Sequence, residues 1–152
     1  MTQEQDKIAL TYEHQLDAAH RLLEHKGKCH SIHGHRYLIQ FEVEGTVDEE
    51  TGLILDFNVL KQEFGQWLDH NWDHALIYNW RDADLIGAIS FLGSDLRRYE
   101  FTMGEPTAEN MAAFLLEHLG CKLEQLYRDV FLVRVVVWET PNCCAEARRE
   151  EI

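Results

Sequence analysis

Two prolines in 152 residues, and no stretch rich in Pro, Gly or Ser, leave nothing to act as a linker between separately folded units. No fixed-period repeat is present either, so one domain over residues 1–152 is the expectation. Positive charge is scarce. Fourteen Lys+Arg face 27 Asp+Glu, a formal net charge of −13, and such a surface repels polyphosphate backbones at long range, so nucleic acid is not an expected partner. Long apolar runs are missing too. The most apolar segment, Val130 to Trp138, is nine residues long and carries Arg134, too short and too polar to cross a bilayer, so no membrane partner is expected. The first residues, Met1 to Lys7, are polar and acidic where a secretion signal needs a basic end and an apolar stretch, which makes the cytoplasm the expected location. Four cysteines (Cys29, Cys121, Cys143, Cys144) at irregular spacings do not form a disulfide framework.

What the chain has is a globular composition, 45% hydrophobic and 11% aromatic. From Ile8 to His20, Leu10, Tyr12, His14, Leu16, Ala18 and His20 share one side of an extended chain, so a strand ends at His20. From Ile32 to Gly45 the alternation is cleaner, with His33, His35, Tyr37, Ile39, Phe41 and Val43 on one face. Turn formers over Gly45 to Gly52 predict a hairpin into a short strand at Leu53-Ile54-Leu55. Leu60, Phe64, Trp67 and Leu68 mark a helix from Phe57 to about Trp72, with Asp56 or Asn58 as its cap. A short helical piece around Leu85 to Phe91 and a strand at Arg98 to Met103 follow. Thr107 caps a second main helix that Gly120 should end. Val130 to Glu139, rich in β-branched residues, is expected to be a central strand covered on both faces. The order strand, strand, helix, helix, strand defines an α+β fold.

Cys29-His-Ser-Ile-His33-Gly-His35 packs three histidines and a thiol into seven positions. On an extended chain His33 and His35 share a face with side chains roughly 7 Å apart, so two imidazoles can converge on one ion. A third nitrogen from His20, at the end of the preceding strand, completes a three-His set with an open fourth position, the pattern of catalytic Zn²⁺. A His-x-His pair on a strand is also at home as plain polar residues near a sheet edge. Cys29 has two further possibilities: a small buried hydrophobe, or a fourth ligand that would make the zinc structural.

His20 in Asp17-Ala-Ala-His20-Arg-Leu, then Gly27-Lys-Cys29 and His33-Gly34-His35, resembles the superfamily of 6-pyruvoyltetrahydropterin and 6-carboxytetrahydropterin synthases. The resemblance continues through Gly45-Thr-Val-Asp48, Thr51-Gly52-Leu-Ile-Leu-Asp56-Phe57 with Leu60-Lys61, Asp73-His74, Pro106-Thr107-Ala-Glu109-Asn110 and Trp138-Glu139-Thr140, from about Tyr12 to Thr140. The three residues between Cys29 and His33 are similar to the bacterial carboxy branch, which makes queuosine precursors, since the animal pyruvoyl enzymes place more residues there. Of two candidate pairs, Asp73-His74 lies 17 and 18 residues after Asp56, as the family's acid/base pair does, which leaves Asp69-His70 as a solvated helix face. The ending after Thr140, Pro141-Asn-Cys143-Cys144-Ala-Glu, departs from the family's pattern.

The resemblance implies the tunnelling fold, a four-stranded antiparallel sheet with two helices packed on one face, in a homo-oligomer of trimers stacked into hexamers with sites between subunits. It implies a pterin triphosphate substrate, 7,8-dihydroneopterin triphosphate, converted to a 6-carboxypterin with loss of acetaldehyde and triphosphate. Zinc on His20, His33 and His35 would be the Lewis acid, with Cys29 the base or proton shuttle beside Lys26 and Lys28, and His74, oriented by Asp73, the second acid/base. Glu139 shares a parity with Val133, Val135 and Val137, where an unpaired carboxylate is costly, so it wants a donor pair such as the pterin amino group and ring N–H. Thr107 and Ala108 backbone groups would complete the ring's edge, and His25, Lys26 and Lys28 are candidates for the triphosphate. Three alternatives stay open: a pyruvoyl-type synthase on the same fold, a non-catalytic zinc-binding assembly protein with Cys29 as fourth ligand, and a generic zinc hydrolase, which the lack of a Glu beside the ligand histidines disfavours.

Overall fold

A computed structural model describes residues 8–150; the acidic start Met1 to Lys7 lies outside them. Strand β1 (Ala9–His20) and strand β2 (His33–Gly45) follow the alternation of their sequences and pair antiparallel, placing His20 opposite His33 and Ala18 opposite His35. A short 3₁₀ turn, Lys28–His30, lies between them. Asp56 caps the first helix by accepting from the Asn58 N–H (2.8 Å). That helix runs as α1 (Phe57–Leu60), a π-helical turn (Lys61–Gly65) and α2 (Gln66–Asn71). The expected strand at Leu53 to Leu55 is not formed. Asp48 instead closes a tight loop, its N–H donating to Leu53 O and its own carbonyl accepting from Gly52 N–H, and this feeds the chain straight into α1.

The π turn packs closely on β1. Gly65 lies against β1, and a Cβ there would overlap the Tyr12 hydroxyl, which bonds His14 Nδ1 at 2.9 Å while His14 Nε2 meets Asp69 Oδ1 at 2.7 Å. Asp69 is thus tied to β1 rather than merely solvated. Gly65→Ala should cost about 1–3 kcal/mol, the usual cost of overpacking. Urea unfolding at fixed protein concentration measures it, and the loss should shrink in a Tyr12→Phe background. An equal loss in both backgrounds would mean the hydroxyl is not what Gly65 accommodates.

After α2 the chain returns beside β1 as β3 (Leu76–Asn79), crosses α3 (Ala83–Ser90), and adds β4 (Arg98–Phe101). Helix α4 (Ala108–Leu126), capped by Thr107 Oγ1 on Asn110 N–H, leads to β5 (Val130–Thr140) and β6 (Cys143–Arg148). The sheet is six-stranded and mixed, in the order β4-β3-β1-β2-β5-β6. This corrects the four-stranded antiparallel expectation: β1, β2, β5 and β6 are antiparallel, but β3 joins β1 in parallel and β4 joins β3 in parallel. The return is fixed by backbone bonds from Ala19 N–H to Ala75 O and from His74 N–H to Asp17 O.

One face of the sheet carries the main core, with Tyr37, Ile39, Phe41, Val135 and Val137 against Leu60, Phe64 and Leu68 of the first helix and Met111, Leu115, Leu119 and Leu123 of α4. Leu76 and Tyr78 pack instead with Leu85 and Ile89 of α3, so a helix also covers the other face at β3, where two helices on one side were expected. Gly120 does not end α4; it is buried in mid-helix, where a Cβ would lie 3.7 Å from Leu132. A bulge at Val133 shifts the inward parity of β5 from Val130 and Leu132 to Val135 and Val137, so Val133 does not share the face of Glu139. Phe131, Arg134 and Trp138 of β5 are only half-buried.

Candidate metal centre

At one end of the core face the sheet brings four donors together. His20, His33, His35 and Glu139 each offer a ligand atom, and those atoms all lie within 4.8 Å of one another. The register accounts for it: His20 faces His33 across β1 and β2, the small Ala18 faces His35 and leaves its ring room, and Glu139 extends the inward row of Val135 and Val137. Gly34, between the two histidines, backs onto β1 so closely that a Cβ would lie 3.1 Å from Ala18 O.

The hydrogen bonds fix which nitrogens face inward. His20 Nδ1 lies 2.8 Å from Pro106 O, and His33 Nδ1 lies 2.7 Å from Ser31 O. A carbonyl only accepts, so each Nδ1 carries the proton and, in the neutral ring, each Nε2 presents a lone pair. Those two Nε2 atoms are 3.1 Å apart. Glu139 Oε1 stands 3.2 Å from His20 Nε2 and 3.0 Å from His35 Nε2, yet His35 Nε2 is buried without a properly oriented hydrogen-bond partner. His20 itself is 1% exposed. Buried acceptors crowded head to head, with an orphan nitrogen beside them, are costly unless a cation or proton sits among them. The donor set therefore fits a metal ion.

The electrostatics agree. A hydrogen bond donated by His20 Nε2 when that ring is charged, together with the neighbouring imidazoles, holds the Glu139 carboxyl below its usual range against the opposing effect of burial, and burial lowers the His35 pKa. Burial, followed by the Glu139 charge, pushes the Tyr37 hydroxyl well up, so the phenol beneath the cluster stays neutral.

Two clefts meet at Gly34, His35 and Arg36. One, of about 670 Å³, is lined by Tyr37, Trp138 and Glu139; the other, of about 550 Å³, by Asp17, His74 and Arg97. His74 Nδ1 bonds Asp73 Oδ2 at 2.8 Å, and Asp73 Oδ1 accepts from the Asp17 N–H at 3.0 Å. Burial alone would raise the Asp73 pKa, but these bonds bring it below the usual range. His74 has φ 56°, a left-handed backbone unusual for a residue with a Cβ.

The sequence profile described as 6-pyruvoyl tetrahydropterin synthase matches residues 9–150. The chain belongs to this family. Among its relatives, the 6-carboxy-5,6,7,8-tetrahydropterin synthase of Rickettsia conorii is 32% identical over 91% of this chain and 99% of that one. The protein of the same description from Haemophilus influenzae is 32% identical over 90% of this chain and 96% of its own. Among solved structures, the 6-pyruvoyl tetrahydropterin synthase of Caenorhabditis elegans aligns with a TM-score of 0.64 at 24% identity, covering 95% and 96% of the two chains. An uncharacterized protein of Wolinella succinogenes aligns at 0.78 and 20% identity, covering 95% and 99%; these two likenesses concern the fold.

Not every candidate residue joins the family member's cluster. Cys29 sits half-buried in the 3₁₀ turn and outside the four-donor group, so a His₃Cys site is not formed. Lys26 and Lys28 are exposed on the same loop. The Thr107 hydroxyl is engaged in capping α4. Sequence reasoning missed Pro106 as the carbonyl that orients His20, and Arg97 beside His74; neither contact is signalled by spacing, since Pro106 and His20 are 86 residues apart. Among the described residues no helix is long and apolar enough to cross a membrane.

Proposed function

We propose that this chain is a 6-carboxy-5,6,7,8-tetrahydropterin synthase, a cytoplasmic lyase that converts 7,8-dihydroneopterin triphosphate to 6-carboxytetrahydropterin, acetaldehyde and triphosphate on the way to queuosine-type 7-deazapurines. The observation that carries it is the convergence of His20, His33 and His35, the last of which lines both clefts, in a chain whose near full-length relatives bear that name. Nitrogen donors with one carboxylate suit Zn²⁺, with His20, His33 and His35 as its holders. Bound there, zinc supplies a Lewis acid for negative charge developing on the substrate's side-chain oxygens.

The protein's own groups do the rest. His74, its tautomer set by Asp73, exchanges a proton with the substrate through the free ring nitrogen. Cys29 is the second proton-transfer group. Glu139 lines the larger cleft at 30% side-chain exposure, so its carboxylate can accept from the pterin amino group and ring N–H; Thr107 and Ala108, which do not line that cleft, are assigned to the ring's edge by the family resemblance alone. Lys26 and Lys28 supply positive charge for the triphosphate in an otherwise acidic protein. Strands β4 and β6 end the sheet within one chain, and such edges favour pairing with neighbouring copies, in support of a homo-oligomer.

The deciding experiment incubates zinc-loaded protein with 7,8-dihydroneopterin triphosphate and assays acetaldehyde and the pterin product. Acetaldehyde with a 6-carboxypterin supports the proposal; a pyruvoyl product without acetaldehyde moves the chain to the pyruvoyl branch. Glu139→Gln tests the anchor. It keeps the shape but sets a donor against the ring's donors, so substrate affinity should fall by about 2 kcal/mol or more while zinc content holds. Zinc lost together with affinity would make Glu139 a ligand instead, and unchanged affinity would remove the anchor.

A further inference from the structure

The peptide unit joining Asp73 to His74 is gripped at both ends. Its N–H donates to Asp17 O of β1 at 2.6 Å, and its carbonyl, Asp73 O, accepts from Arg97 Nε at 2.9 Å. The same guanidinium reaches the end of α2 through Nη2, which donates to Asp69 O at 2.8 Å and His70 O at 3.0 Å. Those two carbonyls lack their usual helical partners, because the Asp73 N–H turns back to Leu68 O and the His74 N–H leaves for β1. Arg97 is itself fixed, its own carbonyl accepting from Leu76 N–H at 3.0 Å where β3 begins. The orientation of that peptide plane sets φ at His74, and φ there is 56°, a conformation that persists only where its surroundings hold it.

We propose that Arg97 is a positioning residue for the Asp73-His74 pair: by clamping the Asp73 carbonyl to the end of α2, it maintains the left-handed backbone that presents the His74 imidazole to the cleft shared with His35. This rests on the role given to His74 above. The planar fork matters more than the charge. Donors on different nitrogens of one rigid group fix Asp73 O relative to the helix end, whereas a lysine ammonium is a single point on a flexible stem. Without the clamp, the peptide can rotate toward an ordinary φ and carry the ring off its line.

Arg97→Ala and Arg97→Lys, both zinc-loaded, test this by steady-state kinetics on 7,8-dihydroneopterin triphosphate and by NMR of the His74 imidazole nitrogens. Arg97→Ala should lose on the order of tenfold to a hundredfold in kcat, the scale of a small misplacement of a reacting group. KM should change by less than about twofold, because the role assigned to Arg97 acts through the backbone of His74 and not through the substrate. Zinc content should hold, and the His74 Nδ1 resonance should move away from its Asp73-bound position. Arg97→Lys should fall between that variant and the parent, and it carries the test if the alanine variant does not fold. Unchanged kcat and an unmoved His74 resonance, with only a lower melting temperature, would make Arg97 a simple helix cap and overturn the proposal. A kcat loss with an unmoved His74 resonance overturns it equally. The resonance needs no turnover, so a parent protein inactive on this substrate would sink the synthase assignment while the NMR comparison still decides the role of Arg97.

Discussion

His33→Ala protein, purified from zinc-supplemented medium, should contain little or no zinc by elemental analysis, while the parent holds about one ion per subunit. His33 is held by two constraints close to it. Its Nδ1 is held by Ser31 O two residues earlier, and its Cα faces His20 across the β1–β2 ladder. Both constraints aim Nε2 at the His20 Nε2 3.1 Å away. Removing only a partner that orients a ligand typically costs 10–100-fold in metal affinity, so losing one of three imidazoles outright should cost more than that.

The same substitution relieves a conflict in the metal-free protein, because one of two facing lone pairs disappears. Apo His33→Ala should therefore melt no lower than apo parent, while the rise in melting temperature that zinc gives the parent should vanish. His30→Ala, which alters a histidine on the neighbouring 3₁₀ turn outside the donor group, should retain its metal. Full zinc occupancy in His33→Ala would sink the three-histidine assignment.

Strong local periodicity made most of this fold legible. β1, β2 and the two main helices carry clear alternation or helical spacing, and Asp56 and Thr107 cap as their chemistry predicts. β3 was invisible because its four residues are all buried between two layers, which erases alternation. β6 was missed because its short run, Cys-Cys-Ala-Glu-Ala-Arg, owes its extended state to pairing with β5 rather than to propensity. The helix end expected at Gly120 failed for a tertiary reason, since the buried row of α4 runs on through Leu119 to Leu123 and its packing in the core outweighs the local preference of glycine. Within the site, three histidines and a glutamate follow from parity and register. The left-handed His74 and the Arg97 clamp depend on β3 returning beside β1, a crossover that no local pattern encodes.

Cys29→Ala should keep its zinc and its fold but lose about 10²–10⁴-fold in kcat, the contribution typical of one positioned proton-transfer group. The structure separates this role from metal binding, because the thiol falls outside the group formed by His20, His33, His35 and Glu139. It also makes the substitution mild. The backbone at Cys29 is held through its carbonyl, which accepts from Leu22 N–H at 2.8 Å, and the thiol contributes nothing to that bond. The side chain is half-buried, so shortening it by one sulfur opens no sealed cavity. Cys29→Ser sharpens the test, since a serine hydroxyl is nearly isosteric but a far weaker acid than a thiol. If Cys29 moves a proton, serine should restore little of the lost rate despite filling the space. Zinc analysis, circular dichroism and single-turnover acetaldehyde release measured on the same preparations distinguish the outcomes. Zinc lost along with turnover would return Cys29 to the role of fourth ligand in a structural site, and full activity in Cys29→Ala would remove Cys29 from the proton-transfer groups.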